Sequence, residues 1–188
     1  MSRSESLLAQ LRGYEPADEP EAGHRLAMLE LLSASEAAFS RDHFAPGHFT
    51  ASCYIVDDGG RLLLHHHRRL GRWLQMGGHV EGVETPDRSA LREGREESGL
   101  RDLALAVEGI FDLDVHAIPA GKGEPDHEHF DVRYLARTSR PGSVAIDRTE
   151  SNDLAWFGLG RAAELMAGPE SLRVIRKIER LLRERSTP

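Results

Sequence analysis

The sequence predicts an α/β or α+β sandwich, and three observations carry that expectation. Helix-period segments at both ends of the chain enclose strand-period segments. The first two strands are joined by Asp57-Asp58-Gly59-Gly60, residues that suit a tight hairpin turn. A glycine-punctuated stretch, Gly71 to Gly82, then leads from strands into a charged helix. At 188 residues the chain suits one domain with a helical appendage, and it can bury a hydrophobic core without disulfides or structural metal.

Residues 1–46 read as a helical extension and 47–188 as the domain proper. Leu7, Leu8 and Leu11 form one short apolar stripe; Leu26, Leu29 and Phe39 form a longer one. Pro16 and Pro20 separate the two segments, and Pro46-Gly47 ends the second. The extension suits either a cap packed on the domain or a homodimerisation arm. Strands are expected over Ser52 to Val56 and Leu62 to His67. Thr85 can N-cap a helix with Pro86 at its first position, running to about Ser98 with Gly99 as left-handed stop. Strands Gly109 to Ile118 and His127 to Arg137 follow across the polar loop Pro119 to Asp126, then a short strand Leu154 to Phe157. Ser171 to Leu182, with apolar Leu172, Ile175, Ile178, Leu181 and Leu182, closes the chain as an amphipathic helix.

Composition narrows the function classes. A formal charge of −7 argues against a nucleic-acid polymer as partner, since that affinity comes from neutralised phosphates. An acidic protein reaches a small polyphosphate through a divalent cation instead. No apolar run approaches membrane-spanning length, and Met1 to Gln10 lack the basic-then-apolar layout of a signal peptide. Cys53 is the single cysteine, so no internal disulfide forms and a cytoplasmic location is expected. On a strand, Cys53 reads as a small buried hydrophobe before it reads as a nucleophile.

The chemistry concentrates in Gly77-Gly78-His79-Val80-Glu81-Gly82-Val83-Glu84 and Arg92-Glu93-Gly94-Arg95-Glu96-Glu97-Ser98-Gly99-Leu100. Glu93, Glu96 and Glu97 stand at i, i+3 and i+4, so their carboxylates share one helix face. Such crowding is destabilising unless a cation neutralises it, and oxygen-only ligands select magnesium or manganese before zinc. A solvated acidic face with Arg92 and Arg95 as ordinary partners is the plainer alternative. The glycine-rich loop immediately upstream favours a ligand, because it lets main-chain groups approach closely and can offer a carbonyl.

Gly78, five residues, Glu84, seven residues, Arg92-Glu93, two residues, Glu96-Glu97, one residue, Gly99-Leu100 resembles the Nudix box. The resemblance extends from about residue 50 to 160. Gly94 stands where the family usually has an aliphatic residue, at a helix cost of roughly 1 kcal/mol relative to alanine. Met76 and Val83 replace a frequent proline and glycine. The resemblance implies a Nudix-type α/β/α sandwich with a mixed sheet, plus the N-terminal helical extension. It implies that Glu93, Glu96, Glu97 and the Gly77 carbonyl bind Mg2+, with Mn2+ as substitute, and that Arg92 and Glu84 pair to hold the loop against the helix. It implies a hydrolase that cleaves a phosphoanhydride in a nucleoside diphosphate linked to another moiety. Alternatives are a non-catalytic nucleotide sensor on the same fold and isopentenyl-diphosphate isomerase-like chemistry, for which Cys53 alone is poor support.

The general base has three candidates. Glu93 lies in the box, Glu128 opens the long second strand, and Glu150 lies in the polar loop Asp147 to Asp153, where a late loop glutamate resembles that of several Nudix enzymes. Alternation in the two long strands sets Asp112, Asp114 and His116 opposite Phe111, Leu113, Val115 and Ala117. It likewise sets His129, Asp131 and Arg133 opposite Phe130, Val132 and Tyr134. Paired as a hairpin, the polar faces make one wall that either meets water or lines the substrate cleft. Of ten histidines, His65, His66 and His67 cannot all bind one metal from a regular strand, whereas His127 and His129 share a face. Scattered polar histidines are the expectation, ahead of a zinc site.

Overall fold

The computed structural model describes residues 2–121 and 123–186; residue 122, inside the expected 119–126 loop, lies outside them. The order is α1 (Arg3–Gly13), α2 (Glu19–Ala34), β1 (Gly47–Asp57), β2 (Leu62–His67), β3 (Arg72–Leu74), β4 (Met76–His79), α3 (Pro86–Ser98) and β5 (Ala104–Leu105). Then come β6 (Asp112–Ile118), β7 (His127–Thr138), a 3-10 turn over Pro141–Ser143, β8 (Ser151–Phe157), α4 (Leu159–Met166) and α5 (Pro169–Ser186).

Strand β1 organises a mixed eight-stranded sheet. Its last residues pair antiparallel with β2, through Ile55↔Leu63 and Val56↔Leu62. Its first half pairs antiparallel with β4, from Thr50↔His79 to Cys53↔Met76. Along its other side it runs parallel to β7 from Gly47↔Glu128 to Asp57↔Thr138. Strand β6 adds to β7 antiparallel with Asp114 opposite Asp131, so the expected hairpin forms.

Every residue of β1 is buried because helices cover both faces of the sheet. Phe49, Ala51, Cys53 and Ile55 join Phe130, Val132 and Tyr134 in a core shared with α3 and the N-terminal helices. Tyr54 and Val56 turn the other way and join Leu62, Leu64 and Leu135 under α4 and α5. Sandwich architecture follows from this two-sided burial.

The N-terminal helices are part of the first core. A reciprocal capping box of Ser2 and Glu5 starts α1, and the Asp18 side chain accepts from Glu21 N at 2.9 Å to start α2. Leu7, Leu11, Met28 and Leu31 are buried with Phe49 and Phe130, as a cap requires. Two details of the sequence expectation are corrected. Helix α2 ends at Ala34 rather than continuing to Pro46, because the Ser35 hydroxyl accepts from Ala37 N at 3.1 Å and turns replace the helix. The buried stripe runs through Met28 and Leu31, while Leu26 is 57% exposed. Apolar residues are too dense in α2 for periodicity to choose the face.

Other boundaries move. Gly99, at φ 72°, terminates α3 as expected, and its N–H reaches Arg95 O at 2.9 Å. Thr85 holds the N-cap position but its side chain makes no capping bond. Strand β6 begins at Asp112 rather than Gly109, and β8 begins three residues early, at Ser151. In α5, Leu172 faces out whereas Arg173 is buried with Val174, Ile175 and Ile178. Among the described residues, no helix is long and apolar enough to cross a membrane.

Candidate active site

The β4–α3 connection folds back so that the box carboxylates meet the glycine strand. A Cβ on Gly78 would collide with the Glu93 carboxylate, so glycine is what admits that side chain beside the strand. Gly94 serves packing of the helix itself: a Cβ there would lie 3.1 Å from Cys53 Sγ and 3.2 Å from Leu103 Cδ1. Its helix penalty therefore accompanies a close approach of α3 to β1. Cys53 is fully buried in that contact and its thiol is pushed up to about 12 by burial, so it reads as a core residue.

Glu97 is the most enclosed of the three, 6% exposed. Its Oε1 accepts from Gly77 N at 3.3 Å, while Oε2 has no hydrogen-bond partner among the described residues. His65 Nδ1 lies 3.3 Å from Oε2 but bonds Ser151 Oγ at 2.7 Å, and burial holds that imidazole down at about 4, so it is neutral near pH 7. Distance alone does not make it an ion pair. Burial, with the charges of Glu93, Glu150 and Asp147, pushes Glu97 up to about 8 against the Gly77 N–H. Glu93 is raised as well, by burial against the pull of Arg92.

Arg92 joins loop to helix. Its Nε meets Glu84 Oε2 at 3.1 Å, Nη1 meets Glu93 at 2.9 Å and Glu96 at 3.0 Å, and Nη2 donates to His79 O at 3.2 Å. Glu84 also accepts from Ser89 Oγ at 2.8 Å. The expected Glu84–Arg92 pair is present. Glu96 is exposed. An all-oxygen donor set with one buried, unpartnered carboxylate oxygen fits a hard divalent cation.

Of the glutamates outside the box, Glu150 is exposed, and its carbonyl accepts from Arg68 N at 2.8 Å. Its charge and that of Asp147 help raise Glu97, so this turn lies within electrostatic reach of the carboxylate cluster. Glu128 is half-buried and pairs with Gly47 and Ala117 across β1 from β4.

The polar wall exists, yet its inner part neither meets water nor stands open. Asp112, Asp131, Arg133 and Asp114 are 0, 3, 5 and 6% exposed. Arg133 bonds Asp131 at 2.9 Å and Asp114 at 2.8 Å. Asp112 accepts from Arg173 Nε and Lys177 Nζ, both at 2.8 Å from α5. Glu21 of α2 receives Lys177 and Leu113 N. Burial alone would raise Asp114, but the His116 hydrogen bond and the Arg133 charge outweigh it and hold the carboxyl at about 2. The sequence pattern could not show this, because Arg173 and Lys177, which join Arg133 in compensating the carboxylates, come from a helix far along the chain.

Beyond this network the wall turns to imidazole. His48 and His129 are neighbours in the parallel β1–β7 pairing with ring centroids 4.9 Å apart, and His79 of β4 lies 5.1 Å from His48. Burial holds His48 at about 4 and His129 at about 3, so both are neutral near pH 7. His127 and His129 share a face as expected, with ring centroids 5.2 Å apart; where scattered histidines were expected, His48, His79 and His129 bring ligand atoms within 4.8 Å of one another. Only strand order reveals this grouping.

Comparisons with known proteins agree with the fold. The NUDIX domain model matches residues 46–178. A protein described as a probable DHNTP pyrophosphohydrolase from Lactococcus lactis subsp. cremoris (strain MG1363) is 28% identical over 134 residues, covering 70% of this chain and 78% of that one. An Ap4A hydrolase structure from C. elegans superposes with a TM-score of 0.59 at 22% identity, covering 72% of this chain and 98% of its own. A NUDIX-family hydrolase from Clostridium perfringens gives 0.54 at 26% identity, covering 71% and 97%. With its box carboxylates, glycine strand and mixed sheet in place and the family model matched over most of its length, the chain belongs to the Nudix hydrolase family.

Proposed function

We propose that this hydrolase cleaves a phosphoanhydride bond in a small nucleotide-like substrate, a nucleoside diphosphate linked to another moiety, with Mg2+ (or Mn2+) as cofactor. The observation that carries the reading is Glu97 Oε2: buried and without a hydrogen-bond partner among the described residues, on a carboxylate whose other oxygen accepts from Gly77 N. Leaving such an atom unsatisfied costs on the order of 1–3 kcal/mol, more for a charge, unless a ligand takes it. Glu93, Glu96, Glu97 and the Gly77 carbonyl would hold the cation. When bound, a hard divalent ion offsets charge on the leaving oxyanion and acidifies water.

The protein's own groups do the rest. Arg92 and Glu84 keep the loop against α3. Glu150 takes the proton as water oxygen bonds to phosphorus and the bridging P–O bond breaks, releasing two phosphate-bearing products. Asp112, Asp114, Asp131 and Arg133 set the shape of the wall from within the buried ion network, and half-buried His129 is the wall residue left to border the substrate. The pyrophosphohydrolase description of the Lactococcus relative supports this bond class.

A panel of nucleoside triphosphates, ADP-ribose, dinucleoside polyphosphates and sugar nucleotides tests the proposal, with Mg2+ and with phosphate detection before and after added pyrophosphatase. Turnover of at least one member, lost in chelator and in Glu97→Gln, is expected. Tight binding without product across the panel would replace the proposal with a nucleotide sensor.

A further inference from the structure

Three imidazoles stand on the sheet face that Gly78 turns away from. Gly78 meets Glu93 on the α3 side, so its strand neighbour His79 projects to the opposite face. There it joins His48 and His129, which sit side by side on β1 and β7. The three offer one ligand atom each, all within 4.8 Å of one another.

His48 makes the set more than a stack of rings. It is 1% exposed, and its Nδ1 lies 3.3 Å from the His43 carbonyl, which can only accept. That contact puts the proton on Nδ1 and leaves the lone pair on Nε2, the tautomer arrangement seen where histidines ligate metal. Nε2 is buried and has no hydrogen-bond partner among the described residues. A phenylalanine would fill the same space without that cost. The ring nitrogens of His79 and His129 likewise have no hydrogen-bond partner among the described residues, and both side chains are half-buried, open on one side. Two further histidines are committed elsewhere: His127 Nδ1 to the Pro125 carbonyl at 2.9 Å, and His116 Nδ1 to Asp114 at 2.9 Å.

We propose that His48, His79 and His129 form a second metal site, separate from the carboxylates, for a divalent transition-metal ion of the zinc class. Imidazole donors select zinc, copper or nickel over magnesium. Nitrogens on a tetrahedral ion at about 2.0 Å stand about 3.3 Å apart, so His79 and His129 close in by side-chain rotation around the fixed His48. Three protein ligands leave a fourth position, on the open side, for water or an oxygen of a bound anion. The site goes beyond the proposed hydrolysis and does not depend on it.

The test uses chelator-stripped protein, without nucleotide, in saturating Mg2+. Zinc is titrated in competition with a chromophoric chelator, and Co2+ is added in parallel for its visible absorption. The expectation is one zinc per chain that Mg2+ does not displace, and cobalt bands of low coordination number. His79→Ala and His129→Ala should each weaken zinc by about 100-fold or more, and Glu97→Gln should leave it unchanged. Both histidines are half-buried, so these variants are expected to fold even if a His48 variant does not. No zinc bound by wild type, zinc retained by both histidine variants, or zinc lost in Glu97→Gln would each overturn the proposal. Hydrolysis plays no part in the readout, so failure here and failure of the hydrolase reading are distinguishable.

Discussion

Replacing Glu97 by glutamine should stabilise the metal-free protein while removing its turnover. The carboxyl is pushed up to about 8 in the fold, against an ordinary value of 4.5. An acid raised in this way binds more protons folded than unfolded between those two values. Wild-type stability therefore falls as pH rises through that window, and the full penalty is reached above it. pH 7 lies 2.5 units above the ordinary value, so keeping the folded carboxyl protonated there costs about 3 kcal/mol at 1.36 kcal/mol per unit. Glutamine keeps the shape and can still accept from Gly77 N, but carries no charge. Its gain at pH 7 should be about 2 to 3 kcal/mol, or roughly 5 to 10 °C in Tm for a chain of this size. At pH 5 the gain should shrink below about 1 kcal/mol. Thermal and urea unfolding in chelator at both pH values measure it. Adding Mg2+ should then stabilise wild type more than the variant, since only the native carboxylate binds it fully. A variant less stable than wild type in chelator at pH 7, or a difference that ignores pH, would refute the reasoning.

Two further outcomes follow from the same geometry. Glu150→Gln should lower kcat about a hundredfold, with partial recovery as pH rises and hydroxide replaces the activated water; near-normal rates, with a collapse in Glu128→Gln, would move the role to Glu128. Arg133→Met should cost about 3 to 5 kcal/mol in denaturant unfolding, because it removes the buried cation that Asp114 and Asp131 share, whereas Asp112 keeps Arg173 and Lys177; a loss under about 1 kcal/mol would show that water reaches the network.

What the sequence made legible was local. Three glutamates on one helix face, Gly99 at its end and a glycine strand before it are neighbours in the chain, so spacing alone located the box. The Asp57–Gly60 turn and the β6–β7 alternation were visible for the same reason. Strand order was not. His48 lies between the Pro46-Gly47 break and the strand expected from Ser52, and only the parallel pairing of β1 with β7 sets it beside His129. Arg173 and Lys177 read as the polar side of an amphipathic helix, yet α5 lays them on Asp112. The wall therefore changed from a surface to a buried ion network once its partners were known. Helix α4, with eight residues, is too short for apolar periodicity to announce.

The claim at the centre is that the box carboxylates of this chain perform hydrolysis rather than binding alone. Incubating the protein with Mg2+ and its best nucleotide in oxygen-18 water tests it directly, with products read by mass spectrometry. One oxygen-18 atom is expected in one of the two phosphate-bearing products, and no labelled product from Glu97→Gln. Unlabelled, intact nucleotide after hours with bound Mg2+, or equal labelling by Glu97→Gln, would contradict it.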